Sequence, residues 1–169
     1  MASFKQAVYV VLQHEGLLSE DPADHGGTTN YGISLGFLKA EGIDIDGDGD
    51  SDAIDVRELS KEKAMDIYEE YFWDRHQYGR IFDQQVATKV FDLAVNMGAK
   101  RLHKLLQRAL CSIGLPVAVD GIFGQETLNA VNCADPDQLH AALRKEADRF
   151  YRSLNQPRFL EGWLRRLYS

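Results

Sequence analysis

Two acidic residues near the N-terminus, Glu15 and Asp24, have the residue types of a glycosidase pair. Glu15 continues an apolar stripe at positions 4, 7, 8, 11 and 12, which has the spacing of one helix face. Glu15 also stands at the predicted carboxyl end of that helix, so desolvation and the helix dipole would both raise the pKa of its carboxyl group. A carboxyl group that stays protonated near neutral pH can act as a general acid.

Asp24 lies in a segment rich in small and hydroxylated residues. Neighbouring glycines let the backbone approach a ligand closely, and Thr29 and Asn30 can orient a water molecule or hydrogen-bond a sugar. A protonated glutamic acid facing an ionised aspartate is the arrangement that hydrolyses glycosidic bonds. Spacing alone also fits a boundary glutamate that turns to solvent and an aspartate that only shapes a turn.

The run HEGLLSEDPADHGGTTNYGIS resembles the signature of the glycoside hydrolase 108 lysozymes, an E-G followed by D-P-x-D-x-G-G-x-T-N-x-G-I. The resemblance implies a lysozyme-like fold and N-acetylmuramidase activity on peptidoglycan. It implies Glu15 as the catalytic acid, and a likeness to phage T4-type lysozymes adds Asp24 and Thr29. Leu17 replaces a glycine that the family often has, which leaves the acid unchanged.

Further runs extend the resemblance over most of the chain. LSKEKAMDIYEEYFWDRH is similar to a family helix with an I-Y-x-x-Y-[FW]-W run, and VFDLAVNMGAKRLHKLLQRAL with VDGIFGQETLNAV resembles the family's peptidoglycan-binding part. The chain is therefore predicted to form a catalytic lobe over residues 1–83 and a helical lobe over residues 84–169, packed as one compact unit.

An aromatic cluster at positions 68, 71, 72 and 73 cannot face one way on an α-helix, so some of its rings must be core and others can stack on sugar rings. Asp92 and Asn96 are four residues apart on one helix face, and they either hydrogen-bond substrate or tie helices together. The predicted substrate-binding residues are Asn30, Tyr31, Tyr71, Trp73 and Asn96.

The run DIDGDGDSDAID over residues 44–55 matches an EF-hand loop, with Gly49 at the glycine position and an aspartate closing the loop. Its carboxylates repel one another unless a cation neutralises them, so the loop should be loose without metal. The predicted cation is Ca²⁺, with Mg²⁺ as the alternative because the closing aspartate is short. The run also looks like a single dockerin-type calcium repeat, and a solvated acidic loop is the other interpretation. The predicted metal ligands are Asp44, Asp46, Asp48, Asp50, Asp52 and Asp55.

The elements that must position these residues are mainly α-helical, because apolar residues recur with helical spacing along most of the chain. Ser3 and Gln6 fit a capping box for the first helix. A small β-hairpin is predicted near residues 28–33, and an EF-hand-like loop interrupts the helices. Helices are predicted near residues 4–15, 34–40, 61–75, 84–97, 100–113, 125–131, 136–154 and 158–168.

The formal net charge of -7 comes from one segment, since residues 41–55 contain seven acidic and no basic residues. The tail after residue 139 is basic, and it either attracts anionic envelope polymers or is a solvated helix face. Peptidoglycan, rather than a nucleic acid, is the predicted partner, and the protein is predicted to be a monomer. Cys111 and Cys133 are predicted to be reduced, buried thiols, with a disulfide as the alternative.

The opening residues do not have the pattern of a signal peptide, and no apolar run is long enough to cross a bilayer. The sequence therefore predicts synthesis in the cytoplasm and action on the cell wall after release through a holin, as for a phage endolysin. Two other functions fit the same residues: a lytic transglycosylase, and a non-catalytic calcium-dependent binding module. An amidase is disfavoured because the histidines lack zinc-site spacing.

Overall fold

The computed structural model of this chain describes residues 1–14 and 28–169, so Glu15 and Asp24 lie outside the described residues. Within the described part the protein is mainly α-helical with one small antiparallel sheet, which confirms the predicted lysozyme-like class. The α-helices there are α1 (Phe4–His14), α2 (Leu35–Glu41), α3 (Ala53–Glu58), α4 (Lys61–Tyr68), α5 (Gln84–Met97), α6 (Ala99–Ser112), α7 (Gln125–Cys133), α8 (Pro136–Ser153) and α9 (Pro157–Tyr168).

Helix α1 buries the stripe that its sequence pattern predicts, with Ala7, Val8 and Val11 in the core. Its N-terminus differs from the prediction in one respect. The backbone N–H of Ser3 donates to Oε1 of Gln84 at 2.6 Å, and Nε2 of Gln84 donates back to the Ser3 carbonyl at 3.1 Å. A residue at the start of α5 thus takes the role expected of Gln6, and it joins the N-termini of two helices.

Helix α5 is the centre of the fold because it is buried nearly all round. It packs against α1, α6 and α8. One hydrophobic core therefore includes residues on both sides of the predicted boundary at residues 83 and 84. The division of the chain into two lobes remains a prediction.

The hairpin consists of β1 (Thr29–Asn30) and β2 (Ile33–Ser34), which pair antiparallel. The two residues between the strands, Tyr31 and Gly32, have φ values of 49° and 79°. Positive φ at both central residues is typical of the type I′ turn, whose twist suits a two-residue hairpin. Hydroxyl oxygen Oγ of Ser34 then accepts from the Phe37 backbone N–H at 3.2 Å and caps α2.

The segment predicted as one helix over residues 61–75 consists of an α-helix followed by a π-helix. After α4 the chain continues as a π-helix, Glu69–Asp74, in which the Arg75 N–H bonds to the Glu70 carbonyl five residues back. The wider turn shifts the helix face that points inward. In this segment Trp73 lies in the core, while Tyr71 and Phe72 are only half-buried.

A buried ionic cluster fastens the C-terminal helix α9 to α5. Asp92 is fully buried, and its Oδ1 accepts from Nε of Arg166 at 2.9 Å. Nζ of Lys89 lies 3.9 Å from the other carboxylate oxygen of Asp92 and donates to the carbonyls of Arg166 and Leu167. Four residues further along α5, Oδ1 of Asn96 accepts from the Tyr151 hydroxyl at 2.6 Å. Asp92 and Asn96, the two polar residues predicted on this face of α5, therefore connect α5 to α9 and α8.

The prediction of buried thiols is wrong. Cys111 and Cys133 are both free, as expected, but both are exposed. They occupy the last turns of α6 and α7, whose apolar stripes face the core on the opposite side. Over residues 1–14 and 28–169, no helix has the length and apolar character needed to cross a membrane.

Candidate active-site groove

A groove of about 540 Å³ runs between the β-hairpin and α2 on one side and the π-helix and the end of α5 on the other. This volume lies within the range of pockets that bind small ligands. The lower wall comes from the π-helix, and the opposite wall comes from β2 and α2. Lining residues include Ile33, Ser34, Phe37, Tyr71, Phe72 and Val95.

Three half-buried aromatic rings line the groove, Phe37 from α2 and Tyr71 and Phe72 from the π-helix. The Phe37 ring stacks on Phe72 with centroids 5.4 Å apart, and it meets Tyr71 edge-on at 5.8 Å. Each ring supports another, so their exposed faces have fixed orientations. Flat apolar faces in a groove can pack against the C–H faces of sugar rings.

The predicted sugar contacts of the aromatic cluster separate into two groups. Tyr71 lines the groove. Trp73 is 4% exposed and packs edge-on against Phe91, with centroids 5.4 Å apart, in the core below the groove. Residues two apart on a helix point in nearly opposite directions, so these two side chains have different surroundings.

The hairpin residues lie beside the groove, but their polar groups have partners within the protein. Asn30 is 7% exposed, and its Nδ2 donates to the carbonyls of Val56 at 3.0 Å and Leu59 at 3.3 Å. The Tyr31 carbonyl accepts from the Tyr68 hydroxyl at 2.8 Å. Thr29 is half-buried and pairs with Ser34, a groove residue.

A second cavity of about 700 Å³ adjoins the groove, and the two share Arg75 and His76. Its floor contains His103, which is buried. Nε2 of His103 lies 2.8 Å from the Tyr78 hydroxyl, and Nδ1 lies 3.1 Å from the Gly121 carbonyl. Because a carbonyl can only accept, Nδ1 carries the proton, and Tyr78 donates to Nε2. Burial lowers the pKa of His103 to about 4, so this ring is neutral near pH 7.

The acidic loop brings its carboxylates together in two trios. Within each trio, carboxylate oxygens lie within 4.8 Å of one another. Gly49 has a φ of 102°, a value that suits the sharp turn at the sixth position of an EF-hand loop. The nearby charge of Asp48 raises the pKa of Asp50, as expected for crowded carboxylates. The trios are Asp44, Asp46 and Asp48, and Asp50, Asp52 and Asp55.

The end of this loop is helical, which the sequence pattern did not predict. Helix α3 begins at Ala53, and Asp52 and Asp55 form a capping box at its N-terminus. Asp55 is 1% exposed, and its Oδ1 accepts from the Ile45 N–H at 2.6 Å. The backbone N–H groups that surround Asp55, that of Asp52 foremost, lower the pKa of its carboxyl group, so it is ionised near neutral pH.

Comparison with known proteins decides the family. The sequence model of the family described as Glycosyl hydrolase 108 matches residues 8–98, and that of a Predicted Peptidoglycan domain matches residues 102–168. The chain belongs to the glycosyl hydrolase 108 family. The protein is thus a glycoside hydrolase that acts on peptidoglycan in the cell wall.

The solved structure of Brucella abortus SagA is similar to this glycosyl hydrolase 108 protein. The two sequences are 30% identical, and the match has a TM-score of 0.82 over 98% of this chain and 89% of the SagA chain. A search of curated proteins finds no match. Every described residue that lines the groove belongs to the stretch matched by the glycosyl hydrolase 108 model.

Sequence reasoning missed most groove residues in this glycosyl hydrolase 108 chain, among them Phe37, Glu41, Arg75 and His76. Nη1 of Arg75 donates to Oε1 of Glu41 at 2.8 Å, so an ion pair joins the π-helical segment to α2. Burial lowers the pKa of His76, and Arg75 adds to this effect. The sequence signal that could have identified Arg75 and His76 is the polar run DRHQYGR, which follows the aromatic cluster.

Acidification is expected to destabilise the enzyme partly through His103. Its folded pKa of about 4 lies below its ordinary value of 6.5, so between these values the unfolded chain binds the proton more readily. The stability from this residue is present above pH 6.5 and is lost as the pH falls toward 4, by about 3 kcal/mol. Urea unfolding of wild type and His103→Gln measures this loss. Equal pH dependence in the two proteins would contradict the assignment.

Proposed function

We propose that this enzyme is an N-acetylmuramidase that hydrolyses the β-1,4 bond between N-acetylmuramic acid and N-acetylglucosamine of peptidoglycan. The observation that carries the proposal is the family match over residues 8–98, which contains the aromatic-walled groove. Phe37, Tyr71 and Phe72 offer ring faces of the kind that pack on sugars. A glycan strand in this groove would lie along the hairpin that follows the predicted catalytic segment.

In the proposed mechanism Glu15 protonates the leaving glycosidic oxygen. Asp24, helped by Thr29, orients the attacking water or stabilises the oxocarbenium-like transition state. The position of Thr29 in β1, paired with groove residue Ser34, supports its assignment. The assignments of Glu15 and Asp24 rest on the family signature, since both lie outside the described residues.

The products of purified peptidoglycan distinguish this proposal from its two rivals. Digestion in H₂¹⁸O, followed by mass spectrometry, should give muramic acid reducing ends that carry one labelled oxygen. Unlabelled anhydromuramic ends would instead identify a lytic transglycosylase, which needs no water. An absence of new ends, with binding to the polymer retained, would identify a non-catalytic module.

We also propose that the loop over residues 44–55 binds Ca²⁺, with Mg²⁺ as the alternative. The donor set supports this, since hard cations prefer carboxylate oxygens and the two trios supply six carboxylates in one short loop. The loop joins α2, which carries Phe37 and Glu41 of the groove, to α3, whose Val56 carbonyl holds Asn30 of the hairpin. A bound cation would therefore hold two elements of the groove wall in fixed positions.

Calcium is expected to raise the free energy of unfolding by about 3 kcal/mol when its concentration is 100 times the dissociation constant. Thermal unfolding with CaCl₂ and with excess chelator measures this directly, without an activity readout. Asp44→Ala should remove most of the calcium effect, and Asp66→Ala, which changes an exposed aspartate on α4, should retain it. Calcium and chelator giving the same melting temperature in wild type would refute the site.

The biological setting that we propose is that of an endolysin, released to the wall through a holin. The resemblance to phage lysozymes supports this setting. Expression in a bacterial host should leave cells intact until a holin gene is co-expressed. Lysis at the same rate with and without the holin would contradict this route.

A further inference from the structure

The second cavity, of about 700 Å³, is strongly cationic. Arg75, Arg80 and Lys100 line it together with His76, His103 and Gln125. Among the described residues that line it there is no aspartate or glutamate. The lining of the cavity comes from both of the stretches that match family models. Residues 75–80 belong to the first match, and residues 100–128 fall almost wholly in the second.

Two of these cations have no neutralising partner in the described part of the chain. Arg80 donates to the neutral side-chain amide oxygens of Gln77 at 2.7 Å and Gln125 at 2.8 Å, which orient the guanidinium but leave its charge in place. Lys100 has no ion pair among residues 1–14 and 28–169. Only Arg75 is neutralised there, by Glu41 in the groove. A concave site with two uncompensated cations favours a carboxylate ligand.

The floor of the cavity is held in place by contacts within the protein, before any ligand binds. His103 is held by Tyr78 and by the Gly121 carbonyl. Gly121 has a φ of 83°, and a Cβ on this residue would come within 2.9 Å of the Lys100 carbonyl oxygen, so the chain around Lys100 packs closely on this glycine. A binding site whose walls are fixed in advance loses little entropy when a ligand enters.

The cavity adjoins the groove, because Arg75 and His76 line both. In peptidoglycan, each muramic acid carries a peptide stem with free carboxylates as a branch from the glycan strand. We propose that the cavity binds the carboxylates of this stem peptide, with Arg80 and Lys100 as the main contacts, while the glycan strand occupies the groove. This inference rests on the proposed muramidase function. It adds that the enzyme recognises the peptide stem of its substrate as well as the glycan strand.

The double variant Arg80→Gln with Lys100→Gln tests the proposal, and its matched control is Arg108→Gln with Lys145→Gln. The control residues are exposed, lie on α6 and α8, and carry the same total charge. Each enzyme is given intact peptidoglycan strands and strands whose stems have been removed. We expect the ratio of kcat/KM for stem-bearing over stem-free strands to fall at least tenfold in the test variant, mainly through KM, and to stay within twofold in the control.

An unchanged ratio in the test variant would overturn the inference, whether both activities fall together or neither changes. Wild type that cleaves neither substrate would defeat the proposed function instead, and a binding experiment then decides the inference. A synthetic stem tetrapeptide with free carboxylates should shift the His76 and His103 ring resonances of wild type. The same peptide with amidated carboxylates should bind at least tenfold more weakly, and equal binding of the two peptides would overturn the inference.

Discussion

Replacing Glu15 by glutamine is expected to lower kcat for peptidoglycan hydrolysis by about 10²- to 10⁴-fold, the usual contribution of a general acid. Glutamine has nearly the same shape but cannot give a proton to the leaving glycosidic oxygen. Binding of the polymer should be retained, because the aromatic groove wall and the cationic cavity are unchanged by this substitution. Release of reducing ends from purified peptidoglycan gives kcat, and co-sedimentation with the polymer gives binding.

The matched control for this result is Glu70→Gln, which changes an exposed glutamate on the π-helix and should leave kcat within twofold. Asp24→Asn is expected to lower kcat as well, because a neutral amide neither activates water nor stabilises positive charge on the sugar. Thermal unfolding shows whether each variant is folded. Lysis at full rate by folded Glu15→Gln would remove the proposed mechanism.

Replacing Asp92 by asparagine is expected to reduce the free energy of unfolding by about 3–5 kcal/mol, the cost of removing one partner from a buried ion pair. The substitution takes away the carboxylate that Arg166 contacts at 2.9 Å and leaves Arg166 and Lys89 as neighbouring buried cations. Urea unfolding measures the change through a lower midpoint at an unchanged slope.

The exposed pair Arg165–Glu161 supplies the control on the same helix, because its side chains are 79% and 87% exposed. Glu161→Gln should change stability by less than about 1 kcal/mol, since solvent screens an exposed pair. Adding Lys89→Met to Asp92→Asn should recover part of the loss by removing a buried positive charge whose carboxylate neighbour is gone. Equal losses for Asp92→Asn and Glu161→Gln would show that the buried cluster contributes little.

Helix positions were largely predictable because they depend on local patterns. The predicted bounds of α5 match the observed Gln84–Met97, since Asp83 caps its start and Gly98 follows its end. A small hairpin was predictable from the glycine-rich segment that contains it, but its turn was not, because Tyr31 takes a positive φ that usually favours glycine, asparagine or aspartate. In each case the residues that decide the structure are close together in sequence.

Side-chain environments were less predictable, because distant contacts decide them. Helical spacing put Tyr71 and Trp73 on different helix faces but did not say which face is buried, and packing places Tyr71 in the groove and Trp73 in the core. The cap of α1 comes from Gln84, which is distant in sequence. The thiols of Cys111 and Cys133 were expected inside on residue type alone, but the faces of α6 and α7 that pack inward leave them outside.

The sequence by itself determined the helical class, the family signature with Glu15 and Asp24, and the acidic loop, because periodicity and motif spacing are properties of short segments. Only the tertiary structure decided that Phe37 from α2 meets Tyr71 and Phe72 in one groove. The cationic cavity likewise joins Arg80 and Lys100 from separate elements. Such sites depend on how helices pack, and packing is the sum of many weak contacts between residues far apart in the chain.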